Sequence, residues 1–425
     1  MAPEINTTPI APKKKLHIAV FPWLAFGHMI PFHHLANLLA AQGHHISFLS
    51  TPRNIHRLPK TPPKLSHSFN FVPLHLPQIP GLPPAAESTA DLPPGLVPYL
   101  KLAHDGLEPA DFTVPPKWVP FPSSVAYRLH EARRFFEPPP EGVAVPVVVG
   151  DLERGEAALN GCDVLALRTC PELERDWLDL TGQLYGKPVV PAGLLIPSEP
   201  EPEPEPEGPW VAAREWLGKQ RFGSVVYVAF GSEVSLTKYE MTELALGLEL
   251  AGFPFLWVLR KQGKAGSSAE EEDGELLPEG FEDRIQAKGI GLVHTGWAPQ
   301  VQILAHGSVG GFLTHCGWGS VVEALRFGRP LIMLPIQVVD QGLIARTFAE
   351  RGAGVEVARD EEDGYYSGSS VAESVRAVMG EESGRRYRDK AEEMRAAVFG
   401  NTGVQDRCFR GFVEFLENYS RNNNV

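Results

Sequence analysis

The chain has 425 residues and a formal net charge of −13 at neutral pH. This length predicts two or three domains with ample cores, since a large domain buries about 75% of the surface that its unfolded chain exposes. The negative charge argues against nucleic acid or an anionic membrane as the main partner. Any bound anion must therefore be held by local geometry.

Cysteines, histidines and the first residues bear on location and metal binding. Residues 1–15 contain no apolar stretch typical of a signal peptide, and no segment of the sequence is long enough to span a membrane. The histidine pairs at residues 33–34 and 44–45 have no carboxylate or Cys partner at ligand spacing, so no metal site is predicted. Four scattered cysteines indicate reduced thiols and a cytoplasmic location: Cys162, Cys170, Cys316 and Cys408.

The first elements alternate between strand and helix. Residues 16–21 form a short apolar run that predicts a strand, and residues 22–28 follow it as a loop. From Pro31 the apolar residues recur at helical spacing. Residues 46–49 and 69–74 predict two further strands. This pattern starts a doubly wound parallel sheet, in which ligands bind beyond the carboxyl ends of the strands.

The middle of the chain is rich in proline. Residues 98–107 and 127–136 predict helices, and residues 143–149, 164–167 and 189–190 predict buried strands.

Residues 198–207 alternate Glu and Pro, which predicts an extended, solvated connector. We therefore predict an N-terminal domain over residues 1–197, a linker over 198–208 and a C-terminal domain over 209–425.

The C-terminal half repeats the alternation of strand and helix more clearly, and a second doubly wound sheet is predicted. The predicted strands are residues 224–230, 255–259, 291–294, 311–314, 330–334 and 354–357. The predicted helices are residues 237–250, 321–327, 371–379, 385–398 and 404–416. Residues 261–275, rich in Gly, Ser and Glu, predict a surface loop.

A glycine-rich turn follows the predicted strand at 311–314 and precedes a helix. Such a turn makes an anion site, because unpaired N–H groups and the positive end of the helix dipole point the same way. Gly317 and Gly319 let a phosphate approach the backbone, and Ser320 is the predicted N-cap.

Two more residues extend this anion site toward a nucleotide. Trp297 offers a flat apolar face on which a base can stack. Glu323, one turn into the helix, is an acceptor suited to a pair of ribose hydroxyls. A base platform, a phosphate cradle and a ribose acceptor together indicate a bound nucleotide.

The runs WAPQ at residues 297–300 and THCGWGS at residues 314–320, with Glu323 and the pair at 340–341, resemble the signature of plant family 1 UDP-sugar glycosyltransferases. That resemblance implies an α/β GT-B fold of two doubly wound Rossmann-like domains facing across a cleft, the last helix returning to the first domain. It also implies a UDP-sugar-binding set: Ser232, Trp297, Ala298, Gln300, His315, Gly317, Trp318, Gly319, Ser320, Glu323, Asp340 and Gln341.

Within that set, the resemblance implies a separate role for each group. The Trp297 position stacks on uracil, the Gln300 and Glu323 positions hold the ribose, the His315 and Ser320 positions contact the diphosphate, and the Asp340 and Gln341 positions hold sugar hydroxyls. The sequence departs from the family pattern twice. Gly319 stands where most members have Asn, and one extra residue falls within residues 336–339.

His28, just beyond the first predicted strand, is the predicted catalytic base, since an imidazole with a pKa of about 6.5 accepts a proton near neutral pH. In similar sequences an Asp orients this histidine, and that Asp has no match here. A strand–helix–strand unit of ~30 residues or more is absent between Glu108 and Pro109. Either the protein lacks part of its acceptor domain, or residues exist there that the sequence omits. The second reading is favoured, because deleting a central strand exposes its neighbours' edges.

The resemblance implies inverting transfer of a sugar, glucose by the Gln341 position, from a UDP-sugar to a hydroxyl of a small plant metabolite. Residues 21–28, 50–54 and 229–233 resemble the branch that extends the sugar chains of flavonoid and terpenoid glycosides. No cofactor or metal is expected, and the expected partners are the UDP-sugar and the acceptor, bound by a monomer.

Simpler interpretations remain beside this one. Asp340-Gln341 is also a normal helix N-terminus, and Trp297 a normal core tryptophan. A nucleotide-sugar-binding protein without catalysis is permitted by the missing Asp. A nicotinamide dehydrogenase is disfavoured, because no predicted strand is followed by a Gly-x-Gly-x-x-Gly turn.

We predict that His28→Ala abolishes sugar transfer and leaves UDP binding intact, because the imidazole accepts the acceptor's proton without holding the nucleotide. UDP release and UDP affinity are measured on the same preparation. Retained turnover would remove His28 from this role.

Overall fold

The computed structural model describes residues 15–20, 22, 26–73, 120–134, 158–196, 210–231, 234, 236–259, 277–336, 340–400 and 403–422. Several predictions lie outside these residues: the helix at 98–107, the strand at 143–149, the connector at 198–207, the loop at 261–275, the Glu108–Pro109 junction and Ser232.

The N-terminal half contains a parallel sheet of order β1-β2-β3 and a separate parallel pair, β4 with β5. In the first sheet Ile18 lies opposite Ile46, and Ile46 opposite Phe69. The elements are β1 His17–Val20, α1 Phe26–Ala41, β2 His45–Ser50, α2 Pro52–Arg57, β3 Phe69–Pro73, α3 Leu129–Arg134, β4 Leu165–Leu167, α4 Pro171–Tyr185 and β5 Val189–Pro191.

Helix α1 begins at Phe26, so the predicted loop through residue 28 is wrong and His28 lies in the first helical turn. The sequence pointed to a start at Pro31 because the apolar residues recur at helical spacing only from there on. Pro31 instead lies inside α1. A proline at this point removes one N–H, whose acceptor four residues earlier would be the carbonyl of Gly27. A Cβ added at Gly27 would meet no atom within 4 Å, so the start of α1 is uncrowded.

The C-terminal half contains six parallel strands in the order β8-β7-β6-β9-β10-β11, which is a doubly wound sheet whose strand order switches between β6 and β9. All residues of β6, β7 and β9 are buried, because helices cover both faces. The elements are α5 Trp210–Gly218, β6 Val225–Ala229, α6 Lys238–Ala251, β7 Phe255–Leu259, α7 Phe281–Ala287, β8 Gly291–Thr295, α8 Gln300–Ala305, β9 Val309–Thr314, α9 Trp318–Arg326, β10 Leu331–Met333, α10 Gln341–Glu350, β11 Gly354–Glu356, α11 Gly368–Met379, α12 Arg385–Val398 and α13 Gly403–Asn422.

Local sequence fixes the ends of α6. The Thr237 hydroxyl accepts a hydrogen bond from Glu240 N at 3.2 Å, and the Glu240 carboxylate accepts one from Thr237 N at 2.8 Å. This capping box satisfies two N–H groups that the first turn leaves unpaired. Gly252, with φ of +77°, ends the helix in the left-handed conformation.

The last helix joins the two halves. Phe412 and Val413 of α13 are buried in the same cluster as Val20 of β1 and Met29 of α1. Near the start of α13, the Gln405 side chain accepts a hydrogen bond from Leu194 N at 2.7 Å. The C-terminal end of the chain thus completes the core of the N-terminal half.

A cluster of charged side chains fastens α3 and the residue before it to the C-terminal half. Arg128 donates two hydrogen bonds to the Glu356 carboxylate, both at 3.0 Å. Arg346 of α10 donates to Glu356 at 3.2 Å and also to Glu131 of α3. The side chains of Arg346, Glu131 and Glu356 are 11%, 7% and 8% exposed, so these pairs are largely shielded from water.

We predict that Arg346→Met lowers the free energy of unfolding by about 3 kcal/mol, because it leaves the buried Glu131 carboxylate without its counter-charge. The exposed pair of Arg133 with Glu362, at 2.5 Å, supplies the matched control. Arg133→Met should cost about 1 kcal/mol or less. Urea unfolding measures both variants, and equal losses would contradict a special role for the buried cluster.

Candidate functional site

The candidate site lies where the C-terminal sheet reverses its strand order. At this switch point β6 and β9 are paired up to their carboxyl ends, and the segments that follow them lead to different parts of the sheet, which is where doubly wound sheets bind ligands. The turn from β9 to α9 includes Cys316, a non-glycine residue with φ of +68°. A positive φ in such a residue is strained, and strain of this kind concentrates at functional sites.

The start of α9 is open to a ligand. Gly317 is the cap residue and makes no side-chain capping hydrogen bond. The first intrahelical bond runs from Val321 N to Gly317 O, at 3.1 Å. The N–H groups of the first three helical residues, 318–320, therefore have no partner within the helix, and the helix dipole adds partial positive charge there.

The prediction that Ser320 is the N-cap is wrong. Ser320 is the third residue of α9, because the helix starts at Trp318 and Gly317 takes the cap position with φ of −59° and ψ of 135°. The sequence misplaced the start because the apolar residues of the helix begin at Val321. At its actual position, Ser320 offers both its backbone N–H and its hydroxyl near the open end.

A hydrogen-bond network joins three of the predicted site residues. Gln300, the first residue of α8, donates through Nε2 to Glu323 at 2.9 Å and to Ser320 at 3.2 Å. Its Oε1 accepts a hydrogen bond from Tyr227 at 3.5 Å. Two helix starts thus place an amide, a hydroxyl and a carboxylate together, as a ribose-binding site requires.

Burial tunes the Glu323 carboxyl. Desolvation raises its pKa above the usual value, while the hydrogen bond from Gln300 and the positive charge of Arg168 oppose that rise. Among the described residues, only the Oε2 oxygen of Glu323 accepts a hydrogen bond, and its Oε1 oxygen accepts none. It is available to accept a ligand hydroxyl.

Trp297 presents its indole to solvent. Its side chain is 68% exposed, so the alternative of a core tryptophan is excluded. The backbone is fixed on either side: His294 Nε2 lies 3.0 Å from Trp297 O, and the next residue, Ala298, is buried. A fixed backbone with a free aromatic face is suited to stacking on a base.

His315 lies partly buried against the glycines of two loops. Burial lowers its pKa to about 4, so its imidazole is neutral near pH 7. A Cβ at Gly231, whose φ is +73°, would lie 2.8 Å from His315 Cε1, and a Cβ at Gly317 would lie 2.7 Å from Nε2. Only glycine leaves room for this ring at both positions.

Trp318 takes a different place from its neighbours. Its indole nitrogen donates to the Arg168 carbonyl at 3.1 Å, and its ring lies 6.1 Å from that of Phe348. The side chain therefore joins the two halves of the molecule, and its backbone N–H remains in the open first turn of α9.

Asp340 and Gln341 begin α10. Asp340 is exposed and occupies the cap position without a side-chain capping hydrogen bond. Gln341 is buried, and its Oε1 accepts a hydrogen bond from Ile336 N at 3.1 Å. A role for this pair in holding a sugar stays a prediction.

His28 is exposed in the first turn of α1, at the carboxyl end of β1. Among the described residues, no carboxylate forms a hydrogen bond with it. The positive charge of Arg168 influences groups on two helices. In addition to burial, it lowers the pKa of His34 in α1, and it opposes the rise in the pKa of Glu323 in α9. Arg168 is thus near enough to both helices to influence each of these groups, and the role of His28 as base stays a prediction.

Arg168, which lies beside these residues, was not predicted from the sequence. It directly follows the strand predicted at 164–167, and residues just beyond the carboxyl ends of parallel strands are where ligands bind. That position was the available signal.

Comparison with known proteins gives matches along nearly the whole chain. Residues 213–391 match the family model "UDP-glucoronosyl and UDP-glucosyl transferase". The chain is 42% identical over 473 residues to UDP-glycosyltransferase 91B1 of Arabidopsis thaliana, covering 96% of this chain and 98% of that protein. It is 36% identical over 470 residues to the soyasaponin III rhamnosyltransferase of Glycine max, covering 96% of each.

A solved structure supports the same fold. Arabidopsis thaliana UGT89C1, complexed with UDP-L-rhamnose, matches with a TM-score of 0.66 at 24% identity, over 94% of this chain and 99% of that one. The predicted α/β GT-B fold is thereby confirmed.

We predict that Trp297→Ala weakens UDP binding by about 5- to 150-fold, since stacking of one base on an aromatic ring contributes about 1–3 kcal/mol. Stability should hardly change, because the indole is mostly exposed. Phe222, 87% exposed in the turn before β6, is the control for loss of a surface aromatic ring. Calorimetric titration with UDP compares the two alanine variants. Equal affinities would remove Trp297 from the base site.

Proposed function

The chain belongs to the family of plant UDP-glycosyltransferases, and from that premise we propose that it transfers a sugar from a UDP-sugar to a hydroxyl of a small plant glycoside. One observation carries the proposal: the open start of α9 lies beside the network of Gln300, Ser320 and Glu323, close to an exposed Trp297. Partners for a diphosphate, a ribose and a base stand in the order in which UDP carries these groups.

The proposed reaction divides between the two halves. The acceptor hydroxyl attacks the anomeric carbon and gives its proton to the His28 imidazole. The bond between that carbon and the diphosphate breaks, and UDP leaves with the electron pair. Attack opposite the leaving group inverts the anomeric configuration.

The diphosphate gains negative charge as it leaves. The N–H groups of residues 318–320 and the dipole of α9 face that charge from fixed positions. The neutral His315 imidazole can donate a hydrogen bond to a phosphate oxygen without itself adding charge.

The donor sugar is proposed to be glucose, held by Asp340 and Gln341. The position of Gln341 at the end of the signature favours glucose, and its buried, hydrogen-bonded side chain is held in a fixed orientation. One similar protein is a rhamnosyltransferase by name, so rhamnose is the competing donor.

We also propose that residues are missing between Glu108 and Pro109. The alignment with the Arabidopsis relative spans 473 residues, more than the 425 of this chain. Among the described strands, β1 pairs only with β2, so its other edge is open to a further strand. An inserted strand there would lie next to the element that precedes His28, which is where an orienting carboxylate is needed.

The cytoplasm is the proposed location. Cys162, Cys170, Cys316 and Cys408 are all unpaired thiols, which supports a reducing compartment. None of the described helices combines the length and apolar composition of a membrane span.

The lack of a described carboxylate at His28 favours one alternative, a protein that binds nucleotide sugars without transferring them. An assay of UDP release separates the two. Flavonoid and terpenoid glycosides, with their aglycones as controls, are offered with UDP-glucose or with UDP-rhamnose. We expect release to require a glycoside and to be faster with UDP-glucose, giving a product one hexose heavier with inverted anomeric configuration.

The assay uses protein isolated from tissue, whose intact mass also reports whether residues lie between Glu108 and Pro109. Binding of UDP-sugar without any acceptor-dependent release would contradict the transferase and support the binding protein. Faster release with UDP-rhamnose would overturn the glucose assignment alone.

A further inference from the structure

We propose that Arg168, in the N-terminal half, binds the diphosphate of the donor at the start of α9 in the C-terminal half. The inference rests on the proposed function and adds to it a positive side chain from across the cleft. The net-negative chain needs such a charge, because the described turn and helix start at residues 315–320 contain no Lys or Arg.

Two hydrogen bonds fix Arg168 in this position. Its Nε donates to the Leu194 carbonyl at 2.7 Å, and its own carbonyl accepts from the Trp318 indole at 3.1 Å. A Cβ placed on Gly319 would lie 3.8 Å from Arg168 Nη1. The guanidinium is thus held by one nitrogen and directed with another at the second residue of α9.

The remaining donors of Arg168 are unused. Among the described residues, its Nη1 and Nη2 make no hydrogen bond, and it forms no ion pair with a carboxylate. Burial lowers the pKa of the guanidinium to about 10, which still leaves it charged at neutral pH. A half-buried cation with free donors is a suitable partner for a phosphate, since guanidinium groups bind such oxygens through two N–H groups.

Gly319 provides the space for this arrangement. It is helical, and a Cβ there would meet no atom within 4 Å except Arg168 Nη1. An Asn at this position would place its amide in the space that faces Arg168. In this chain the absent amide and the arginine are therefore alternative ways to contact the same phosphate oxygens.

Nucleotide binding tests the proposal without requiring sugar transfer. For Arg168→Gln we expect a loss of UDP affinity of about 10- to 100-fold, as for a lost charge-assisted hydrogen bond to a phosphate, and less than about a threefold change for uridine. Arg329→Gln is the matched control. Its Nε also donates to a main-chain carbonyl, that of Leu304 at 2.8 Å, but it lies just before β10, at the amino ends of the strands and not at the carboxyl ends where the site lies.

A double variant tests the shared position. In Arg168→Gln/Gly319→Asn, the new amide should recover much of the lost UDP affinity, whereas Gly319→Asn alone should bring no gain because the arginine already fills the role. Calorimetric titrations with UDP and uridine on all four proteins give the comparison.

Unchanged UDP affinity in Arg168→Gln would overturn the assignment, because Arg168 would then not contact the diphosphate. An equal loss of affinity for uridine would also overturn it, because it would indicate a structural role for Arg168. A double variant that folds but recovers nothing would contradict the shared contact. Failure of the unaltered protein to bind UDP would instead contradict the proposed function itself.

Discussion

The site depends on one constraint: a helix must start immediately after a central strand with nothing of its own to satisfy its first N–H groups. The turn after β9 achieves this by forcing Cys316 to a φ of +68° and by using Gly317, which has no side chain, as the cap. A serine or aspartate at the cap would have filled the same donors internally. The open end costs local stability, and it leaves a fixed group of donors at the switch point of the sheet.

Neighbouring residues adapt to that constraint. His315 fits because Gly231 and Gly317 lack side chains, and its burial keeps the imidazole neutral. Gln300 is the first residue of α8, and Glu323 lies in the second turn of α9. The Gln300 amide therefore donates a hydrogen bond to the Glu323 carboxylate at 2.9 Å. The proposed nucleotide site is therefore built from helix starts and short loops on a buried parallel sheet, whose rigidity holds these groups in place.

Sugar transfer between groups on the two halves requires that the halves keep a fixed relative position. The buried pairs of Arg346 and Arg128 with Glu131 and Glu356 fasten them at one place, and the packing of α13 on the N-terminal core fastens them at another. Between these contacts lies Arg168, anchored to both halves through Leu194 and Trp318. The same contacts that join the halves also bring a cation to a chain whose overall charge would repel UDP.

The sequence by itself determined the C-terminal sheet and proposed the residues of the nucleotide site. Its strands are nearly continuous apolar runs, as expected where both faces are buried, and the glycine turn and Glu323 are adjacent in sequence, so local spacing sets their geometry. Tertiary structure alone decided the helix starts near His28 and Ser320, since the apolar pattern marks which face is buried and not where the first turn forms. It also decided the position of Arg168, because the distance between residues 168 and 319 depends on how two domains pack and on no local pattern in the chain.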